Sequence, residues 1–260
     1  MIRYCKIKHC IIGFDRPKIC GPLVGRAEEE IIAQADQIRQ SQRSSAIDMV
    51  EIRGDYLDIL PDYEVLDRLL AKVAEILPEK VLLFTIRSEA EGGEKLAFNT
   101  PTIYEINRHV IEKAMADMVD IELFSGAEQA EEMIGIAKEK GVKIIMSNHD
   151  FQTTPDASTI VDRLRSMQDL GADVAKIAVM PENKMHVVNL LAATAMMQEA
   201  YAEVPVVTMS MGKMGAISRI SGQVFGSAIT FASFAEASAP GQIPGDKMDE
   251  ALTLIEKYCN

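Results

Sequence analysis

Eight apolar runs rich in β-branched residues recur along this chain, and their spacing limits its fold more than any other feature. They occupy residues 18–25, 48–57, 81–88, 118–123, 143–151, 174–180, 204–211 and 228–233. Their starts lie 24 to 37 residues apart, which is enough for a helix and the next parallel strand but too much for a hairpin alone. The pattern predicts strands that alternate with helices.

The segments between the runs show helical periodicity. Behind the dipeptide Thr100-Pro101, apolar residues recur at Ile103, Ile106, Val110 and Ala114. A second such segment opens at Thr154-Pro155 and is expected to end at Gly171, in the left-handed conformation of a helix cap.

Eight strand–helix units in one uninterrupted series are typical of an α/β protein with a (β/α)8 TIM barrel. A doubly wound open sheet is the competing fold, although no GxGxxG or GxxxxGK[ST] motif follows the first run. Residues 1–260 are expected to form a single barrel domain. Within it, residues 1–16 form an N-terminal extension whose hairpin (4–7 and 10–13) closes the barrel floor.

Composition and charge argue against several classes of protein. The formal charge is −12, from 27 Lys and Arg against 39 Asp and Glu, which argues against nucleic-acid binding. No apolar run approaches the length of a membrane span, and the N-terminus does not resemble a signal peptide. The four cysteines lack CxxC spacing, so we expect no metal site and a reduced, cytoplasmic enzyme.

Charged residues interrupt two of the predicted strands. Glu51, Arg53 and Asp55 alternate along the second run and therefore share one side of the strand. Arg87 lies next to the end of the third run, and Glu91 follows in a loop with two glycines. Buried charges must pair or bind something, so these residues form either an internal ion-pair network or a site at the strand ends.

Lys176 lies inside the apolar sixth run, Val-Ala-Lys-Ile-Ala-Val-Met. A lysine in this position either packs its stem along the barrel wall with its ammonium in a salt bridge, or loses its charge through a lowered pKa. An uncharged amine can act as a Schiff-base nucleophile. His149 is the one histidine placed at the end of a predicted strand, beside that of Lys176, where it can move protons.

The last two runs supply the remaining candidates. Met209 and Met211 share one side of the seventh run and form either an adaptable wall for a ring or ordinary core. Arg219 follows this run, and Phe231 lies in the eighth. The loop at 237–242 is uncharged and rich in small residues, and is either a turn or a closing loop that brings a hydroxyl and an amide to a substrate.

Seven of these stretches, in order, resemble type I 3-dehydroquinate dehydratase (dehydroquinase). They are EIR at 51–53, FTIR at 84–87 with EGG at 91–93, SNHDF at 147–151, KIAVM at 176–180, TMSM at 208–211, ISR at 217–219 and SAPGQ at 238–242. The resemblance extends from about residue 17 to the C-terminus and preserves the 27-residue separation between His149 and Lys176.

The resemblance implies a (β/α)8 barrel, usually a homodimer, that dehydrates 3-dehydroquinate to 3-dehydroshikimate in aromatic amino-acid biosynthesis without a metal or organic cofactor. It matches Lys176 to the lysine that condenses with the C3 ketone, His149 to the general base and Glu91 to the glutamate that orients it. It matches Arg219 to the arginine that binds the substrate carboxylate. The candidate substrate-binding residues together are Glu51, Arg53, Arg87, Met209, Met211, Arg219, Phe231, Ser238 and Gln242.

One position departs from the family pattern. Many relatives carry a serine facing the substrate near the end of the first strand, where this chain has Pro22. Proline offers neither a hydroxyl nor an N–H, so weaker substrate binding is expected with the chemistry retained.

Two other functions fit part of the pattern. A different Schiff-base barrel enzyme, such as a class I aldolase, would share Lys176 but would cleave a carbon–carbon bond. A non-catalytic, ligand-binding member of the fold would keep the cavity without turnover. In each case the expected partner is a small molecule, with no nucleic acid and no membrane.

Overall fold

The computed structural model describes residues 4–41, 44–234 and 238–259. Residues 1–3 of the predicted extension and residue 237 of the predicted closing loop therefore lie outside the described residues. Within these ranges, no helix combines the length and apolar character needed to span a bilayer.

The strands occur at the predicted spacing along the chain. They are β1 (Cys5–Ile7), β2 (Cys10–Ile12), β3 (Lys18–Leu23), β4 (Met49–Arg53), β5 (Val81–Thr85), β6 (Met118–Glu122), β7 (Lys143–Asp150), β8 (Val174–Val179), β9 (Val206–Ser210), β10 (Ile229–Ser233) and β11 (Ile243–Pro244). Strands β3 to β9 pair in chain order, all parallel, and β10 pairs with β3.

The circle of eight parallel strands closes between β9 and the residues just before β10. A parallel bridge joins Val206 to Ser227, and the Ala228 amide donates to the Val206 carbonyl at 2.8 Å. The (β/α)8 barrel is confirmed, and the open sheet is not what this chain forms.

Helices cover the outside of the strands. They are α1 (Glu28–Gln40), α2 (Tyr63–Ile76), α3 (Thr100–Glu112), α4 (Ala127–Lys140), α5 (Ala157–Asp169), α6 (Lys184–Met196), α7 (Ala216–Ile220), α8 (Gly222–Phe225) and α9 (Gly245–Cys259). Helix α3 begins at Thr100 as predicted but ends before Ala114, whose φ is +49°. Helix α5 begins at Ala157, after the Asp156 side chain has capped it, and Gly171 follows with φ +98°.

Alternation along each strand divides the core into two layers. In β6, Val119 and Ile121 face outward and pack among the helices. Met118 faces inward and joins the core inside the barrel. Asp120 also occupies an inward position, one step nearer the carboxyl end of the strand, and is 1% exposed.

The hairpin of β1 and β2 closes the floor, as predicted. Its side chains Ile7, Cys10 and Ile12 belong to the same inner cluster as Met49 and Leu83 from the barrel strands. The apolar floor leaves the opposite end of the barrel, where the strands finish, as the place for polar side chains.

Candidate active site

All of the predicted site residues line one cavity of about 480 Å³. The cavity lies at the carboxyl ends of the strands: Arg53 is the last residue of β4, and Met211 directly follows β9. The side chains come from distant parts of the sequence, but parallel strands bring their carboxyl ends to the same rim. Gly92, Phe151, Ala178 and Ala239 complete the lining.

Lys176 projects into this cavity from the middle of β8 and is 4% exposed. Its Nζ lies 3.0 Å from Oδ2 of Asp120 and 4.6 Å from the centre of the Phe231 ring. The ion pair that was one of the two alternatives for this lysine is present, and the side chain also faces the cavity. The carboxylate stabilises a positive charge on the nitrogen, which opposes the expected loss of charge.

Asp120 is held as an anion by its neighbours. Nη2 of Arg87 lies 2.8 Å from its Oδ2, and the Ser147 hydroxyl donates to its Oδ1 at 2.6 Å. Burial alone would raise the pKa of Asp120, but the charges of Arg87 and Lys176 outweigh it and lower the pKa to about 2. Asp120 is therefore a permanent counter-ion for whatever cation forms at Lys176.

His149 and Glu91 form a buried pair on the neighbouring wall. Nδ1 of His149 lies 2.9 Å from Oε2 of Glu91, and the backbone N–H of His149 donates to the same oxygen at 2.9 Å. Burial and the positive charges of Arg87, Lys176 and Arg53 keep the pKa of His149 well below its usual range. The imidazole is therefore neutral at pH 7, and an ionised Glu91 directs its proton to Nδ1 and leaves Nε2 as a base.

A short helical turn brings Glu91 into this position. The Ser88 side chain caps the turn by accepting from the Glu91 amide. Gly92 follows with φ +82°, and a Cβ there would lie 2.2 Å from the Phe151 ring, so only glycine fits. Burial and the negative charge of Glu122 raise the pKa of Glu91 to about 7, against the lowering effect of Arg87.

Arg53 and Glu51, two charged residues of β4, have different hydrogen-bond partners. Arg53 makes two hydrogen bonds to the Asp55 carboxylate, at 2.8 and 2.7 Å, and this pair is the internal ion pair that was one of the alternatives for this strand. Glu51 instead accepts from the Thr85 hydroxyl at 2.8 Å and lines the cavity. Among the described residues, no donor forms a hydrogen bond with its second carboxylate oxygen.

Arg219 is a buried cation whose surroundings are short of negative charge. It is 2% exposed, its Nη2 donates to the Pro240 carbonyl at 3.1 Å, and its Nε has no hydrogen-bond partner. Across the described ranges, no carboxylate forms an ion pair with it. Burial lowers its pKa to about 10, so it stays charged at pH 7 and is suited to an anionic ligand.

The loop at 238–242 lies over two of these cations, Arg53 and Arg219. The Ser238 carbonyl accepts from Nη1 of Arg53 at 3.3 Å, and Gln242 bonds both the backbone amide and the hydroxyl of Ser238 at 2.9 Å. Met209, Met211 and Phe231 supply the apolar walls beneath it. The cavity thus combines the amine of Lys176, the neutral imidazole of His149, the guanidinium of Arg219, which has no carboxylate partner among the described residues, and an apolar surface.

Sequence reasoning missed several residues that the geometry makes central. Asp120 interrupts the apolar run 118–123 at an inward position, the same signal that revealed Lys176. Glu122 interrupts the same run two residues later, on the same side of the strand, whereas Thr85 and Asn148 contact predicted site residues but gave no comparable signal. Pro22 pairs in register with Glu51 and is not among the residues that line the cavity. Among the described residues, no group of three or more His, Cys, Asp or Glu is placed to hold a metal ion.

Comparisons with known proteins agree with this architecture. The sequence profile of type I 3-dehydroquinase matches residues 19–259. A 3-dehydroquinate dehydratase of Clostridioides difficile is 40% identical over 260 residues, covering 100% of both chains. One of Salmonella typhimurium is 42% identical over 251 residues, covering 96% of this chain and 98% of the relative.

The structures agree as well. The crystal structure of type I 3-dehydroquinate dehydratase from Clostridium difficile superposes with a TM-score of 0.94 at 40% identity, covering 99% of each chain. Profile, sequence and fold therefore lead to one conclusion: the chain belongs to the type I 3-dehydroquinase family.

Proposed function

We propose that this enzyme eliminates water from 3-dehydroquinate to give 3-dehydroshikimate, within aromatic biosynthesis, through a Schiff base on Lys176. The observation that carries the proposal is the placement of a buried amine, Lys176, on the strand next to a neutral base, His149, within one cavity. Family membership and the relatives' names support the substrate.

The covalent steps use the amine first. Unprotonated Nζ of Lys176 attacks the C3 carbonyl, and the resulting carbinolamine loses water to form a protonated imine. This cation draws electrons from the C2–H bond, and Nε2 of His149 takes the C2 proton. The C1 hydroxyl then leaves as water with the proton that His149 carries, and hydrolysis of the imine releases the product and the free lysine. The net reaction is the loss of one water from the substrate, with no external oxidant or reductant.

The protein charges suit these steps. Asp120 stabilises the protonated imine as it stabilises the ammonium of Lys176 in the free enzyme. Before attack, that ammonium must release its proton, to neutral His149 or to solvent, and the carbinolamine hydroxyl takes one proton back as it leaves as water, so that His149 is neutral again when it meets the C2 proton. Arg219 binds the carboxylate at the far side of the ring and supplies the local positive field that the overall charge of −12 lacks.

Two measurements test the function. Mixing enzyme with 3-dehydroquinate should produce the ultraviolet absorbance of the conjugated product; no absorbance at high enzyme concentration would overturn the assignment. Borohydride in the presence of substrate should fix one ligand mass on the peptide bearing Lys176, and Lys176→Met should abolish the adduct. Adduct without enone would favour an aldolase-like reaction, and no adduct would favour a binding protein.

His149→Ala separates binding from proton transfer. It should still form the borohydride-trapped adduct, while turnover falls by roughly 10²–10⁴-fold. His9→Ala, at an exposed position in the hairpin turn, is the matched control and should leave turnover unchanged. Near-normal turnover in His149→Ala would show that another group is the base.

We also propose that the enzyme is a homodimer, with the outer face of α6 as the contact. Met185, Val188 and Met196 on this helix are 62%, 50% and 40% exposed, and the family resemblance supplies a second copy as the occupant. Light scattering should give twice the chain mass. Val188→Glu should yield monomers and Leu254→Glu, on α9, should not; a monomeric native chain would refute the dimer.

Cytoplasmic location is proposed on chemical grounds. All four cysteines are free thiols, and three of them are buried, which suits a reducing compartment. Fractionation of the source cells, with antibody detection in the soluble cytosolic fraction, tests it.

A further inference from the structure

Asn148 lies directly behind the His149–Glu91 pair and is 4% exposed. Its Nδ2 donates to Oε1 of Glu91 at 3.1 Å, on the carboxylate oxygen that does not face the imidazole. Its Oδ1 accepts from Nη1 of Arg163 at 2.9 Å. The single amide thus joins the catalytic pair to a cation on helix α5, outside the strands.

The chemistry of the three groups permits one orientation of this amide. A guanidinium has only donors, so it requires the amide oxygen, and a carboxylate has only acceptors, so it requires the amide nitrogen. If the amide turned over, two donors would face each other at Arg163 and two acceptors at Glu91. Arg163 therefore keeps the N–H of Asn148 directed at Glu91.

We propose that Arg163 and Asn148 are positioning residues for the proposed dehydration, which hold Glu91 as an ionised acceptor and so keep the proton of His149 on Nδ1. Neither side chain lines the cavity, so neither contacts the substrate. Each residue acts on the next one. Arg163 orients the amide of Asn148, Asn148 stabilises the ionised form of Glu91, and Glu91 sets the tautomer of His149.

The charges around Glu91 explain why this support is needed. Glu122, at the end of β6, faces it and favours its protonated form. Arg87, from the end of β5, lies 3.6 Å away and favours the anion, as do the Asn148 amide and the backbone N–H of His149. A protonated Glu91 would donate to Nδ1 of His149, which would move the imidazole proton to Nε2 and remove the base.

Arg163 itself is well placed for the role. It is half-buried, and its only carboxylate partner in the described ion pairs is Asp150, at 3.7 Å. Its guanidinium also lies over the Phe124 ring, 5.7 Å from the centre. These contacts hold the side chain against the end of β7, at the height of Asn148.

The experiment reads the tautomer of His149 directly, by ring ¹⁵N NMR between pH 5 and 9, in the full chain without substrate. In the native protein Nε2 should be the unprotonated nitrogen once Glu91 has ionised. Asn148→Ala should move that transition upward by about 0.5–1 pH unit, which is what one net hydrogen bond to the ionised form supplies. Arg163→Met should move it in the same direction by less.

Controls separate this role from simple stability. Arg165→Met, on an exposed face of the same helix, should leave the transition unchanged. Arg163→Lys keeps one donor for Asn148 and should restore most of the native profile. The double variant Asn148→Ala/Arg163→Met should shift no further than Asn148→Ala alone, because Arg163 acts through the amide.

Two results would overturn the inference: an unshifted transition in Asn148→Ala, or fully additive shifts in the double variant. The tautomer is measured without turnover, so a native chain that fails to dehydrate 3-dehydroquinate would refute the proposed function alone. If the proposed function and the positioning role are both correct, the acid limb of the pH profile of kcat should shift together with the NMR transition. KM should stay within about twofold, which is the pattern expected when chemistry rather than binding is impaired.

Discussion

Oδ2 of Asp120 lies 3.0 Å from Nζ of Lys176, and both side chains are almost fully buried. The same oxygen is 2.8 Å from Arg87, so one carboxylate balances two cations inside the barrel. In the proposed reaction, this geometry would place a fixed negative charge beside the nitrogen in its ammonium and its iminium forms. The lysine must therefore lose a proton before it can attack a carbonyl.

Asp120→Asn should reduce both stability and Schiff-base formation. Removing this buried charge leaves Lys176 without a carboxylate partner among the described residues, while Arg87 keeps Glu122 at 3.0 Å, and should lower the free energy of unfolding by roughly 3–5 kcal/mol. Urea unfolding and borohydride trapping measure the two effects. Asp249→Asn, on α9, breaks a partly exposed pair with Arg16 and should cost about 0–1 kcal/mol without affecting trapping. Equal effects from the two variants would contradict the role of Asp120.

Glu91 should give stability a characteristic pH dependence. Its folded pKa of about 7 lies above the ordinary value, so its contribution to stability is fully present below about pH 4.3 and is lost as pH rises through 7. Between pH 5 and 8, the unfolding free energy of the native chain should therefore fall by roughly 1–3 kcal/mol relative to Glu91→Gln. Urea titrations at both pH values measure this; a constant difference would show that Glu91 ionises normally.

Arg219→Ala should act mainly on KM. The guanidinium is buried and charged without a carboxylate partner in the described structure, so it is free to bind the substrate carboxylate. Loss of charged hydrogen bonds should raise KM by roughly 10- to 100-fold, and Arg219→Lys should recover part of it. Initial-rate kinetics test this prediction, and Arg108→Ala, at an exposed position on α3, is the control. An unchanged KM in Arg219→Ala would remove this residue from carboxylate binding.

Gln242→Ala should affect loop closure more than chemistry. Gln242 makes two hydrogen bonds to Ser238, whose carbonyl contacts Arg53. Without them, hydrogen exchange at 238–242 should be faster in the presence of ligand, and KM should rise while the trapped Schiff base still forms. Gln152→Ala, at an exposed position, serves as the control. Exchange that matches the native chain would mean that Gln242 does not hold the loop.

Much of the fold was predictable because its signals are local. Apolar runs rich in β-branched residues, with starts 24 to 37 residues apart, identified all eight barrel strands, with ends displaced by a few residues. The helix beginning at Thr100 and the cap at Gly171 followed from proline and glycine, whose backbone preferences are intrinsic. The end of α3 was less predictable, since apolar Ala114 continues the period after the helix has stopped.

The sequence by itself determined which side chains face the barrel interior and at which end, because alternation along a strand sets the side and parallel pairing sets the end. It therefore placed Lys176 and His149 in one cavity, whereas Arg219, which lies on α7, was assigned to that cavity by the family resemblance. Only the tertiary structure decided which of those side chains meet. Asp120 and Lys176 lie on strands that are not adjacent, and their contact exists because the sheet curls closed. Closure also sets burial, and burial sets the charge state of His149 and Glu91, which no local pattern contains.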